Sequence, residues 1–139
     1  VYGLNFGIDG TDHTPVITTN ATDIPYPTVV YDFVWTGGTT ATGYDEYSWT
    51  LGTNWMDPCG FSYGAQTLPT ALNNCIIPSG LTYYPSNFNI AAQGHCNILR
   101  IRDNASVSIP GSAQLTGSEF RNDPNGTLDI QNGGTVIVN

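Results

Sequence analysis

Asn104-Ala105-Ser106-Val107-Ser108-Ile109 and Asn125-Gly126-Thr127-Leu128-Asp129-Ile130 share one pattern, 21 residues apart. The same offset carries Ala113-Gln114-Leu115-Thr116 onto Gly134-Thr135-Val136-Ile137, and Leu99-Arg100 onto Phe120-Arg121. A fixed period shared by several short segments is the mark of a repeat architecture. Within the repeat, apolar residues alternate with polar ones: Val107 and Ile109, then Leu128 and Ile130. Successive side chains of a strand point to opposite faces, so one row turns inward and the other meets water. A 21-residue coil with three short strands and Gly, Asn and Pro corners is what a β-solenoid requires. One coil cannot bury its inner row alone; stacking a second coil covers both rows. The coils fall at 98–117 and 119–138, and 80–95 reads as a degenerate earlier coil with Phe88 and Ile90 facing inward.

Outside the repeat the chain is also β-like. Short β-branched and aromatic runs, such as Val29–Trp35 and Cys75–Ile77, are bounded by turn residues. No window carries the i, i+3, i+4, i+7 apolar spacing of a helix. The fold expected is therefore all-β: an extended N-terminal arm (1–30), an aromatic-rich β region (31–95) and β-solenoid coils with an open C-terminal end (96–139). Trp35 follows a strand and reads as buried. Trp49 and Trp55, framed by Gly, Thr and Asn, read as plugs at the ends of a sheet. The sequence stops at Val136-Ile137-Val138-Asn139 in mid-strand, and an uncapped strand row invites another strand, so either it is a piece of a longer chain or the next subunit fills the open end.

Composition narrows the function. The 139 residues carry no Lys, three Arg and eleven carboxylates, for a net charge of -8. That charge disfavours a nucleic-acid backbone or an anionic membrane surface as partner. No run approaches the length of a membrane span. Residues 1–99 hold no Lys or Arg, while 100–139 hold all three arginines, an asymmetry that could orient neighbouring copies head to tail. The start at Val1, without Met or an apolar leader, reads as a mature end left after signal-peptide removal, hence an extracellular or cell-surface location.

Three cysteines, at 59, 75 and 96, suit one disulfide and one leftover thiol in an exported chain. Cys75 with Cys96 closes a loop of about 20 residues, worth roughly 3 kcal/mol in the chain-entropy picture; Cys59 with Cys75 is the other pairing. Asp9-Gly10-Thr11-Asp12 is either a calcium-holding loop at Asp9 and Asp12 or an ion-free Asp/Gly turn. No other cofactor is expected. Nucleophile-elbow, P-loop, zincin and EF-hand patterns are absent from the sequence. His95 beside Cys96 is adjacency alone, and two coils offer little groove for a paired-carboxylate glycosidase. A non-enzymatic protein is the expectation.

Several motifs occur in a telling order: Trp35-Thr36-Gly37, Trp49 and Asn54-Trp55, Leu68-Pro69-Thr70, Asn74-Cys75-Ile76-Ile77-Pro78, Tyr84-Pro85, Cys96-Asn97-Ile98-Leu99-Arg100-Ile101, and Ala105–Ile109. Over residues 33–138 this series resembles Trp-rich, β-solenoid modules of large secreted, adhesin-like surface proteins of Bacteroidota. The resemblance implies export, often by a type IX route, and a role in adhesion or an extracellular matrix. It supplies no catalytic motif. The arm 1–30 lies outside it, and 38–48 is longer than the pattern.

Two functions follow as expectations. The first is a structural subunit of an extracellular fibre, filament or surface matrix. Copies would assemble noncovalently, head to tail, by strand addition, with Val16, Ile17, Val136, Ile137 and Val138 at the interface. The alternative is a carbohydrate-binding adhesin module of a larger secreted protein, with Trp49, Trp55, Tyr44, Tyr47, Tyr83 and Tyr84 on a glycan-binding face.

Overall fold

Cys75, Leu99 and Phe120 lie one above another on three successive parallel strands. This column organises the computed structural model, which describes residues 29–88 and 93–139. Ten strands form in order: β1 (Phe33–Trp35), β2 (Trp55–Met56), β3 (Cys75–Ile77), β4 (Gln93–His95), β5 (Ile98–Ile101), β6 (Ser106–Ile109), β7 (Gln114–Gly117), β8 (Glu119–Asn122), β9 (Thr127–Ile130) and β10 (Thr135–Val138). The one helical piece among the described residues is a 3-10 turn, Gly52–Asn54. The protein is all-β.

The strands build three sheets, ordered β2-β1-β3-β5-β8, β4-β7-β10 and β6-β9. Every pairing between them is parallel except β1 with β2, so the largest sheet is mixed. The sequence period is visible in the register. Leu99 faces Phe120, Val107 faces Leu128 and Leu115 faces Val136, each 21 residues on. Gln93 faces Gln114 at the same step. Between β3 and β5 the step widens: Cys75 faces Leu99.

The described parts of 80–95 make backbone contacts with the strands on either side. Ser108 N–H donates to Pro85 O (2.9 Å), continuing the β6 side, and Asn87 bridges in parallel to Ser48. Phe88 is buried as expected; Ile90 lies outside the described residues. Strands of the aromatic-rich region thus pair directly with strands of the repeat, β3 with β5 and β4 with β7, so packing runs unbroken across 95/96.

Alternation in sequence becomes alternation in burial. In β5 and β6 every second residue is buried, and Leu99, Ile101, Val107 and Ile109 are fully enclosed, as is Leu115 of β7. Fully burying such a side chain is worth about 1.5–3 kcal/mol, so each member of this inner row stabilises the fold.

At the β1–β2 end the core is aromatic. Trp35 and Trp55 meet edge to face at 5.0 Å, and Trp49 and Trp55 at 4.7 Å. Trp49 also stacks on Phe88 at 5.5 Å. Each indole N–H that this packing hides needs an acceptor. Trp35 Nε1 donates to Tyr83 O (2.7 Å) and Trp55 Nε1 to Trp49 O (2.9 Å). Asn54, wholly buried, pins the loops around them. Its Nδ2 donates to the carbonyls of Asp45 and Ser48, and its Oδ1 accepts from the N–H and hydroxyl of Thr39. Gly52 lets two loops touch here: a Cβ would stand 1.9 Å from Gly64 O.

Two expectations are corrected. Trp49 and Trp55 are 1% and 0% exposed, because they close the core, and so they present no exposed stacking face to a glycan. The Cys75–Cys96 disulfide is not formed. Both residues are buried free thiols, and Cys59 is an exposed one. Nor is Cys59 bonded to Cys75. Residues Val16 and Ile17, and Asp9 and Asp12, lie outside the described residues.

Candidate assembly face

β8, β9 and β10 each stand last in their sheet. At and beside these strands, backbone bonds run to the β5, β6 and β7 side: Asp123 N–H to Ile101 O, Thr127 N–H to Ala105 O, Gln131 N–H to Ile109 O, and Thr135 N–H to Ala113 O. Their other edges carry no strand among the described residues. Backbone donors and acceptors on such an edge are a template for further pairing.

Apolar side chains accompany the open edges. Phe120, Leu128 and Val136 are only partly buried, although the residues beneath them, Leu99, Val107 and Leu115, are fully enclosed. Ile130 is 50% exposed and Val138 65%, while their register partners Ile109 and Gly117 are buried. Covering a half-exposed Ile is worth about 1 kcal/mol by area. The face therefore offers hydrogen bonds and hydrophobic contact together, over three sheets at one end of the stack.

Of the residues predicted for an interface, Val136 and Val138 lie on this end, and Ile137, opposite Thr116 on the same strand, is 37% exposed. Sequence reasoning missed Phe120, Leu128 and Ile130. The repeat itself hid them: they occupy inner-row positions, which a periodic pattern marks as core. What singles them out is position in the last paired coil.

Charge on this end is arranged differently from the expected head-to-tail asymmetry. Asp123 accepts from Arg100 Nε and Nη2 (3.1 and 2.9 Å) and from Arg102 Nε (2.9 Å). Arg121 grips Glu119 through Nε and Nη2. The guanidinium of Arg100, then that of Arg102, holds the Asp123 carboxyl below the usual carboxylate range. All three arginines are thus paired with carboxylates, Arg100 and Arg102 with Asp123 of the following repeat and Arg121 with Glu119 of its own.

The remaining aromatic candidates are scattered. Tyr47, 39% exposed, meets Tyr83 edge to face at 5.4 Å. Tyr84 packs against the core, and its hydroxyl accepts from Leu81 N–H. Tyr44 is half-buried in a bridge with Ala41. They form no continuous platform with Trp49 and Trp55 in the core.

Among the described residues no helix is long and apolar enough to cross a membrane, and no three His, Cys, Asp or Glu side chains converge on a metal position. No family model, curated protein or solved structure matches this chain. The likeness to Bacteroidota surface modules rests on its motifs alone.

Proposed function

We propose that this chain is a structural building block of an extracellular fibre, filament or surface matrix. Its parallel coils form a short β-solenoid, and copies add noncovalently, head to tail, by strand pairing on the β8–β9–β10 end. The observation that carries this reading is the strand pairing: among the described residues β8, β9 and β10 each pair along one edge only, beside a partly uncovered apolar row. Supporting it are the 21-residue register and the motif series shared with secreted surface modules. Export and an extracellular location belong to the same proposal, resting on the composition and that resemblance.

Negative-stain electron microscopy with light scattering on the purified chain tests it. Filaments or concentration-dependent oligomers are expected from the wild type, and monomers from Ile130→Lys or Val138→Lys. Dispersed monomers at high concentration, or assembly indifferent to both substitutions, would sink the reading.

A further inference from the structure

Gly94 faces the core on β4: a Cβ there would meet the Phe88 ring at 2.7 Å and Trp49 Nε1 at 2.8 Å. Its neighbours Gln93 and His95 must therefore project outward, since side chains alternate along a strand. The stretch 66–70 passes in front of them. Gln66, Leu68, Pro69 and Thr70, with Trp49, Gln93 and His95, enclose a cleft of about 340 Å³.

The chemistry of this cleft is specific. No Asp, Glu, Lys or Arg lines it. Its apolar part is Trp49, Leu68 and Pro69. Thr70 is occupied, donating to Asn73 Oδ1 (2.8 Å) and accepting from Leu72 N–H (3.2 Å). The side chains of Gln66, Gln93 and His95, by contrast, make no hydrogen bond to any described residue. Three polar groups without a partner among the described residues thus ring a largely apolar hollow.

We propose that the cleft binds a neutral, hydroxyl-rich ligand: the end of an uncharged glycan chain. A sugar hydroxyl both donates and accepts, and a Gln amide or an imidazole answers both needs. The C–H faces of the sugar take the apolar lining. An anionic ligand would find no Lys or Arg in the cleft, and the chain's net charge of -8 would repel it. The volume is at the low end of small-molecule sites, about 300–1,000 Å³, which suits a chain end rather than an extended run. Of the aromatic residues expected to bind glycan, Trp49 alone lines this cleft, and as a buried wall rather than a stacking platform.

The full chain would be titrated by calorimetry and NMR with neutral oligosaccharides (gluco-, manno- and galacto-series and chitin fragments) and with acidic ones (oligogalacturonate, sulfated chains). Saturable binding of a neutral series is expected. Gln93→Ala/His95→Ala should weaken it at least about tenfold, the loss of one or two hydrogen bonds, while Tyr47→Ala leaves it unchanged. Gln66→Ala, on an exposed loop, repeats the test if the double variant misfolds. Absence of neutral binding, preference for the acidic chains, or unchanged binding in these variants would each overturn the proposal. Loss of self-association in the double variant, with sugar binding intact, would assign the cleft to a second copy instead. β4 and β10 are opposite edges of one sheet, so the assembly reading stands or falls separately.

Discussion

Ile109 and Ile130 are register partners on the neighbouring parallel strands β6 and β9, yet one is wholly enclosed and the other half exposed. Identical side chains in equivalent positions thus separate the cost of losing a core contact from the cost of losing an end contact. Ile109→Ala should destabilise the folded chain by about 2–5 kcal/mol, with a lower urea midpoint. Ile130→Ala should cost about 1 kcal/mol or less in the monomer. If the two variants unfold alike, Ile130 is covered in solution.

Asn54 is a second discriminating position. Its buried amide meets the backbone of Asp45, Ser48 and Thr39 at once. Asn54→Leu would strand those groups in the core, and a loss of about 2–4 kcal/mol is expected from thermal or urea denaturation. Near-ultraviolet circular dichroism should report loosened tryptophans before the strands melt.

Acid sensitivity follows from Asp123. Its folded pKa is depressed below the ordinary 3.8, chiefly by the Arg100 hydrogen bonds. The stabilisation it lends is therefore present above that value and lost as pH falls through the lower folded value. Asp123→Asn should lower stability at neutral pH and flatten the decline below about pH 4. Denaturation midpoints across that window check the sign. A midpoint that rises on acidification in the wild type would contradict it.

The cysteines should divide in alkylation. Cys59 is exposed and should react in the native protein. Cys75 and Cys96 are buried, and burial, then the neighbouring Cys96, pushes the Cys75 thiol up, so little nucleophilic thiolate forms there. Intact-mass analysis should show one adduct before unfolding and three after it, without reductant. One adduct in both states would instead reveal an oxidised Cys75–Cys96 pair.

What the residues disclosed before any coordinates was the part written in alternation and period. Val107, Ile109, Leu128 and Ile130 announce both inner row and step. β4 follows the same step, but Gln93-Gly94-His95 carries no large apolar residue to show it, because Trp49 and Phe88 already fill the space beside Gly94. The wider Cys75–Leu99 step broke the count further back. Tryptophans flanked by turn residues left their side undecided between core and surface. Their burial depends on loops far apart in the chain, such as the one that brings Tyr83 O to Trp35. The cleft at β4 was illegible for the same reason: 66–70 and 93–95 meet only after folding.

The 21-residue register that β4 to β10 share has an evolutionary corollary. A one-residue change within β6 would turn its inner row to water, whereas a whole repeat unit inserted between coils leaves every ladder intact. Length in this architecture therefore changes in quanta, each adding about 4.7–4.9 Å along the stack. Gene duplication of one 21-residue unit is thus a ruler mark, and relatives of this body should differ from it by integers.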